Sequence, residues 1–456
     1  MVYLHVPFCR SFCTYCDFYS EIACRGRDAQ LFEAYTQAVC AEASRRRDEI
    51  EATRDLNTLY IGGGTPSVLP LSYLERIVAA TRMTGGVPPE PPASLRSEVL
   101  KPSPICAGGG KAERKLVFRQ TCPKNNFRPP VWKTSAGGAD DQSNFSEFTI
   151  EVNPEDIVEK GEDYVRGLLD LGVNRVSMGV QSLDDGILRW MNRRHDAAHA
   201  REAFRILRSA GVGNISVDLI FGLSQLSEAI LSETLAEVLA WRPEHVSAYQ
   251  LSIEPGSALA GMVREGRYAE ATQEQCAAQY RLLCEELGAV GYVHYEISNW
   301  ALPGFEAVHN SAYWTRHPYV GLGPAAHSFD GTTRSWNSDA LPHAQAATAS
   351  GNRATLGIVR GGTASEAKRW GPTKEDVAGG SWPLRGDREE LSEEEAKEEE
   401  IMLGLRMARG IPEGLVAPER AEVMLADGRL ARLDGGRLRI PEDHWFVSDD
   451  IIADLI

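Results

Sequence analysis

Three cysteines stand close together in the run Cys9-Arg10-Ser11-Phe12-Cys13-Thr14-Tyr15-Cys16. They fall at i, i+4 and i+7, just after a short apolar stretch. Three thiolates can hold three irons of a four-iron cluster and leave the fourth iron open to a ligand that reacts. Structural zinc usually takes four protein ligands, and no neighbouring Cys or His pair completes a set. A [4Fe–4S] cluster on Cys9, Cys13 and Cys16 is therefore the expected metal site. The other six of the nine cysteines are scattered. Cys276 and Cys284, eight apart on a helical pattern, read as small apolar packing residues. An odd cysteine count in a 456-residue chain does not resemble a disulfide framework and fits a reducing compartment.

Further polar residues sit at the ends of apolar runs. Gly62-Gly63-Gly64-Thr65-Pro66 closes one such run. Glycines let backbone approach a ligand closely, and exposed N–H groups can hold a carboxylate. Glu151 ends another run and Gln181 a third, while Arg193 lies in Asn192-Arg193-Arg194-His195. Asp218 stands amid apolar residues, where an acid needs a partner or a ligand. Taken one at a time, each of these also reads as a structural partner. In His309-Asn310-Ser311-Ala312-Tyr313-Trp314 an imidazole precedes two aromatics. Imidazole is a common axial ligand of heme iron, and aromatic rings can pack on a porphyrin face. On the residues alone, a loop histidine bonded to backbone beside core-filling aromatics fits as well. His327 is a second imidazole in reach of the same role.

The elements that must position these groups alternate. Apolar runs at Val2–Val6, Leu56–Ile61, Phe148–Val152, Arg175–Val180, Ile215–Ile220 and His245–Leu251 read as strands. Helical patterns at Gln30–Arg47, Pro70–Arg82, Glu162–Leu171, Ala197–Ala210 and Ser227–Trp241 separate them. This rhythm predicts βαβ units and a parallel sheet. The expected fold is α/β, a partial (β/α)6 TIM-like barrel over residues 1–83 and 144–252, with its site at the C-terminal strand ends. Residues 84–143, with nine prolines and seven glycines, read as a disordered insertion or as a gene-model error. Residues 253–349 read as a barrel extension carrying His309, and 350–388 as a linker. Residues 389–456 read as a small winged-helix-like domain. It would comprise a helix over Arg388–Ala408 with eight glutamates, one near Glu419–Ala426, a hairpin about Asp434-Gly435-Gly436, and a last helix at Ser448–Ile456.

The chain carries a net charge of −16, and 17 acidic against eight basic residues stand from Glu390 onward. Nucleic acid is therefore not an expected partner. No run of about 18 apolar residues is present, so an integral membrane protein is not expected. No secretory signal or Arg- and Ser-rich transit segment precedes the cysteines. A cytoplasmic location is expected, with a mitochondrion or plastid left open should residues precede Met1.

The CxxxCxYC pattern of Cys9–Cys16 resembles the radical S-adenosylmethionine superfamily. The resemblance implies that the open iron binds the amino and carboxylate groups of S-adenosylmethionine. An electron delivered to the cluster by a donor then releases a 5′-deoxyadenosyl radical. It also implies a pocket lined by Tyr3, Tyr15, Gly63, Gly64, Thr65, Glu151, Gln181, Arg193 and Asp218. The glycine run looks like the family's GGG(T/E)P loop, which holds the methionine amino group. Leu4-His5-Val6-Pro7-Phe8-Cys9 and Tyr249-Gln250-Leu251-Ser252-Ile253-Glu254-Pro255-Gly256 are similar to the oxygen-independent coproporphyrinogen oxidase group.

That group holds true oxidases and HemW-type heme chaperones. Phe18 stands where the oxidase pattern has a fourth cysteine, and the first cysteine comes already at position 9, without the oxidases' long N-terminal segment. His309–Trp314 matches the HNxxYW motif of the HemW type. The resemblance thus implies a heme chaperone that binds a [4Fe–4S] cluster, S-adenosylmethionine and heme, the heme near His309, Tyr313 and Trp314. It would deliver heme to an acceptor hemoprotein, with membrane-bound respiratory proteins as the example. The alternative is a coproporphyrinogen III oxidase of porphyrin biosynthesis, acting through the 5′-deoxyadenosyl radical.

Overall fold

The computed structural model describes residues 1–23, 28–82, 145–339 and 385–456. The expected insertion at 84–143, most of the expected linker at 350–388, and Cys106 and Cys122 lie outside these residues. Met1–Met83 and Phe145–Ile456 form one compact unit.

Six strands follow in chain order: β1 (Val2–Val6), β2 (Thr58–Gly63), β3 (Glu147–Val152), β4 (Arg175–Gln181), β5 (Ile215–Phe221) and β6 (His245–Gln250). They pair in parallel and in sequence order. The chain then adds β7 (Val293–Glu296), β8 (Asn299–Ala301) and β9 (Val320–Leu322). The nine-stranded sheet runs β9-β1-β2-β3-β4-β5-β6-β8-β7. β9 joins β1 in parallel, while β8 and β7 close the far side as an antiparallel pair. The order is linear, as in a partial barrel. α/β architecture and the six expected strands are thus present, each strand within a few residues of its expected range.

The main helices are α1 (Asp28–Arg45), α2 (Leu71–Thr81), α3 (Pro154–Asp170), α4 (Ala197–Ala210), α5 (Glu228–Trp241), α6 (Gln273–Ala289), α7 (Val308–Trp314) and α8 (Glu393–Gly404). Their starts are written locally. Asn153, Asp196, Ser227 and Thr272 each accept a first-turn backbone N–H of α3, α4, α5 and α6; each such cap stabilises by about 1 kcal/mol. α3 starts earlier than its apolar periodicity, because Asn153-Pro154 caps it, and Gly161 (φ 72°) kinks it. Leu4, Ile61, Ile150, Met178, Val217 and Val246, one from each of β1–β6, are fully buried. Burial of each contributes roughly 1.5–3 kcal/mol against an extended chain.

The C-terminal part departs from one expectation. Arg385–Glu390 is a strand paired antiparallel with Thr333–Asn337, so the expected helix over Arg388–Ala408 shrinks to α8. Pairing with that strand claims Glu389 and Glu390, and Ser392 then starts α8 with a reciprocal cap to Glu395. Nor is the acidic face wholly solvated, since Glu399 binds Arg316 at 2.8 Å and also Arg334. Beyond it a three-stranded sheet of Ile411–Pro412, Arg437–Arg439 and Ala431–Leu433 packs with helices Pro418–Ala426 and Ser448–Leu455. This is a helix-and-wing arrangement, and its Leu438, Ile440 and Trp445 belong to the same buried cluster as the barrel.

Candidate functional site at the strand ends

Pro7 ends β1, and the cysteine loop begins in the two-residue strand Phe8–Cys9, paired with Glu21–Ile22. The loop between is held from outside. Thr14 N donates to the Met191 carbonyl (3.0 Å), Thr14 Oγ1 to the Trp190 carbonyl (2.9 Å), and Leu259 N to the Thr14 carbonyl (2.8 Å). Cys9, Cys13 and Cys16 all line a cavity of about 730 Å³. Burial pushes the free Cys16 thiol up to about 11 and raises that of Cys9. Metal binding here would release protons, since the ligand is the thiolate. Arg193 sits behind this set, its Nη1 3.4 Å from Cys13 Sγ and its Nη2 donating to the Gly179 carbonyl (2.8 Å). Although burial opposes its charge, the Tyr15 hydroxyl and the Cys13 sulfur favour it.

The strand ends supply the other wall. Glu151 on β3 accepts the Tyr60 hydroxyl at Oε1 (2.8 Å) and Gly63 N at Oε2 (3.1 Å). Burial pushes its carboxyl up to about 7. Asp218 on β5 accepts the Ser177 hydroxyl (2.8 and 3.0 Å), and burial raises it as well. Gln181 ends β4 at a register shift with φ 65°, a left-handed conformation that costs a non-glycine residue about 1–2 kcal/mol. Such strain persists where the surroundings over-determine it.

Of the pocket residues expected from the resemblance, Tyr15, Gly63, Gly64 and Thr65 reach the cavity, as do Glu151, Gln181, Arg193 and Asp218. Tyr3 does not line it. Its hydroxyl meets His5 Nδ1 at 3.1 Å within β1. The glycine run is bonded within the fold. Its N–H groups are occupied: Gly63 N by Glu151, Gly64 N by the Val6 carbonyl (2.8 Å) and Thr65 N by the Phe8 carbonyl (2.7 Å). They do not offer themselves to a carboxylate. Gly64 is needed because a Cβ would stand 2.8 Å from Phe8 O and 2.9 Å from Phe8 N. The missing side chain lets the loop lie against the strand that carries Cys9.

His309 is packed inside the fold. Its ring is fully buried, Nδ1 bonds Thr58 Oγ1 (2.8 Å) and Nε2 meets the Tyr313 hydroxyl (3.1 Å). Burial pushes its pKa down to about 3. The Glu147 carboxylate caps α7 by accepting Val308 N and His309 N, both at 2.8 Å. Tyr313 packs edge-on against Tyr319, and Trp314 lies under Arg406. This is the packed-histidine alternative. The imidazole stands 5.2 Å from the Tyr60 ring, the residue that holds Glu151. His327 is the exposed histidine among the described residues and stacks on Trp336 at 5.7 Å.

Sequence reasoning missed Tyr60, Arg175, Ser177 and Ser247, all on the cavity wall. The register pairs Glu151 with Ser177, Ser177 with Ser216, and Asp218 with Ser247, so one strand parity faces inward. A polar residue at every second position of a buried parallel strand was the available signal. Arg175 is almost fully buried, and its Nε, like that of Arg193, has no hydrogen-bond partner.

The residues present fit a three-cysteine cluster and S-adenosylmethionine. The three cysteines and the two acids line one cavity of about 730 Å³, and Arg175 and Arg193, which line it too, each leave a guanidinium nitrogen unbonded that suits a carboxylate. The family model described as "Radical SAM superfamily" matches residues 3–238. The chain is 29% identical over 90% of its length to the heme chaperone HemW of Bacillus subtilis, covering 84% of that protein. It is 27% identical to the mitochondrial "Radical S-adenosyl methionine domain-containing protein 1" of Danio rerio, over 97% of this chain and 82% of that one. Coproporphyrinogen III oxidase HemN of Escherichia coli, described as a radical SAM enzyme, has the same fold, with a TM-score of 0.64 at 17% identity over 99% and 89% of the two chains. With the family match spanning the cysteine loop, the glycine run and five of the six barrel strands, the chain belongs to the radical SAM superfamily.

Proposed function

We propose that this protein is a HemW-type heme chaperone. It binds a [4Fe–4S] cluster through Cys9, Cys13 and Cys16 and S-adenosylmethionine beside it, and it passes heme to an acceptor hemoprotein. When bound, the cluster and S-adenosylmethionine supply one-electron reductive chemistry, for which an electron donor is required. The chain's own residues position and shield. Glu151 and Asp218 supply negative charge, Arg193 and Arg175 positive charge, and the loop held by Trp190, Met191 and Leu259 fixes the sulfurs.

The observation that carries this reading over the oxidase is the likeness to heme chaperones across nine-tenths of the chain. Phe18 supports it: where the oxidase pattern places a fourth thiol, this chain presents a phenyl ring that is 72% exposed. The scattered cysteines fit a reducing compartment, and a mitochondrial relative is in keeping with the cytoplasm, a mitochondrion or a plastid. Among the described residues no helix is long and apolar enough to cross a membrane.

Since His309 has both nitrogens engaged, the heme iron is assigned to His327. Partial burial and Arg334 lower the pKa of its exposed imidazole, which favours the neutral form a metal ligand needs. Heme titration followed by absorbance tests both parts. One equivalent should bind to the cluster-loaded protein, His327→Ala should abolish the ligation spectrum, and His309→Ala should keep it. The reverse pair of results returns the ligand to His309. Turnover of coproporphyrinogen III with S-adenosylmethionine and a reductant would overturn the chaperone reading in favour of the oxidase.

A further inference from the structure

A second group of ligating side chains lies outside the barrel cavity. Cys284 on α6, His294 on β7 and Glu442 at the start of the turn Glu442–Val447 bring one ligand atom each within 4.8 Å of the others. His294 Nδ1 is 2.8 Å from Glu442 Oε1 and 3.9 Å from Cys284 Sγ. The three residues come from three separate elements, 148 positions apart between His294 and Glu442. Cys284, read from sequence as a packing residue, therefore faces an imidazole and a carboxylate.

The imidazole is held in one orientation. Its ring stacks on Trp300 at 4.1 Å with a 12° tilt, and Trp445 meets it edge-on at 4.3 Å. On the other side Nε2 faces the Ile297 carbonyl and the Tyr280 hydroxyl, both at 3.4 Å, and Tyr280 itself donates to the Ile297 carbonyl at 2.9 Å. A histidine that donates one ring N–H to a backbone carbonyl presents its other nitrogen as a lone pair, the usual outer-shell arrangement of a metal-binding imidazole.

We propose that Cys284, His294 and Glu442 form a site for a zinc-class divalent cation, with water as the fourth ligand on the exposed Glu442 side. The donor set selects the metal. One thiolate and one imidazole exclude the all-oxygen preference of magnesium and calcium, whereas sulfur, nitrogen and carboxylate oxygen at ~2.0–2.3 Å suit tetrahedral zinc. Those bond lengths place ligand atoms roughly 3.3–3.7 Å apart, so Glu442 moves out slightly and Cys284 moves in.

Charge and protons balance simply. The Cys284 thiol loses its proton to solvent, and His294 shifts its N–H from Nδ1 to Nε2, where the Ile297 carbonyl receives it. The nearby charges are Glu285, beside Cys284, and Arg439, beside Glu442. The thiolate and two carboxylates outweigh the one guanidinium. Bound there, the cation ties the C-terminal helix-and-wing piece to α6 and to the β7–β8 hairpin.

The test uses the full-length, cluster-loaded protein. After incubation with zinc and dialysis, metal analysis should find one zinc per chain with iron unchanged. Cys284→Ser and Glu442→Gln should each weaken zinc binding at least about ten-fold, with iron content and circular dichroism retained. Glu442 is exposed, so its variant keeps the test available if the Cys284 variant fails to fold. A chain carrying Cys9→Ser, Cys13→Ser and Cys16→Ser together should still take one zinc. With cobalt(II) it should show a thiolate charge-transfer band that adding Cys284→Ser removes. Zinc lost with the three loop cysteines, or held equally by the Cys284 and Glu442 variants, would overturn the site.

Discussion

Glu151 titrates in the working range, and this makes the cavity's ligand affinity depend on pH. Its carboxyl is buried under Tyr60 and Gly63, and burial pushes it up to about 7. A cationic ligand such as S-adenosylmethionine favours the ionised form, so affinity should rise as pH rises through that value. For binding that requires the ionised group, the apparent dissociation constant scales with one plus the ratio of protonated to ionised carboxyl. That factor is about 11 at pH 6 and about 1.1 at pH 8, a ten-fold change or ~1.4 kcal/mol. Glu151→Gln keeps an acceptor for the Tyr60 hydroxyl but cannot ionise. It should bind S-adenosylmethionine about ten-fold more weakly at pH 8, with the pH dependence removed. Calorimetric titration of the cluster-loaded protein at pH 6, 7 and 8 measures this. The ligand's own amino group titrates identically against both proteins, so the difference isolates Glu151. Equal slopes in the two proteins, or a flat wild-type profile, would refute the assignment.

Three other outcomes are expected. Cys13→Ala should remove both iron and the brown absorbance, and retention of either defeats the ligand set. Gly64→Ala drives a Cβ to 2.8 Å from the Phe8 carbonyl oxygen, which is backbone and cannot rotate away; it should cost about 1–3 kcal/mol in denaturant midpoint and lower iron occupancy. Glu296, fully buried and bonded to Asn299, is pushed up to about 8 by burial. The unfolded chain ionises it near 4.5, so its contribution to stability declines as pH rises from there to about 8. Glu296→Gln should remove that decline, making the variant relatively more stable at pH 8 than at pH 5 by urea denaturation.

The barrel was legible because each strand carries several buried apolar residues between helical stretches, and the caps Asn153, Asp196, Ser227 and Thr272 mark the helix starts. That the three cysteines meet at one cavity was legible because their spacing keeps them on one short loop. The second layer was not. Whether Gly63 N faces a ligand or Glu151 depends on a strand register that composition does not carry, and so does Tyr3's place beside Tyr60 and His5, short of the cavity. Pairing also overrode helix propensity at Glu389 and Glu390, where the edge of Thr333–Asn337 was available. Cys284 looked inert until the fold brought Glu442 beside it.

His309 can support the cavity wall without binding heme. Thr58 and Tyr313 fix its ring, its ring stands beside Tyr60, and Tyr60 holds Glu151. Removing it leaves a gap under Tyr60 and loosens Glu151, which lines the cavity proposed for S-adenosylmethionine. A defect in His309→Ala is thus expected at that pocket first. Two distinct signatures follow. A prop for Tyr60 changes S-adenosylmethionine affinity and leaves the heme spectrum intact, and restoring ring volume with His309→Phe recovers part of the loss. A heme ligand changes the spectrum at once, and no carbocyclic ring restores it. The geometry, with both nitrogens bonded inside the protein, favours the prop.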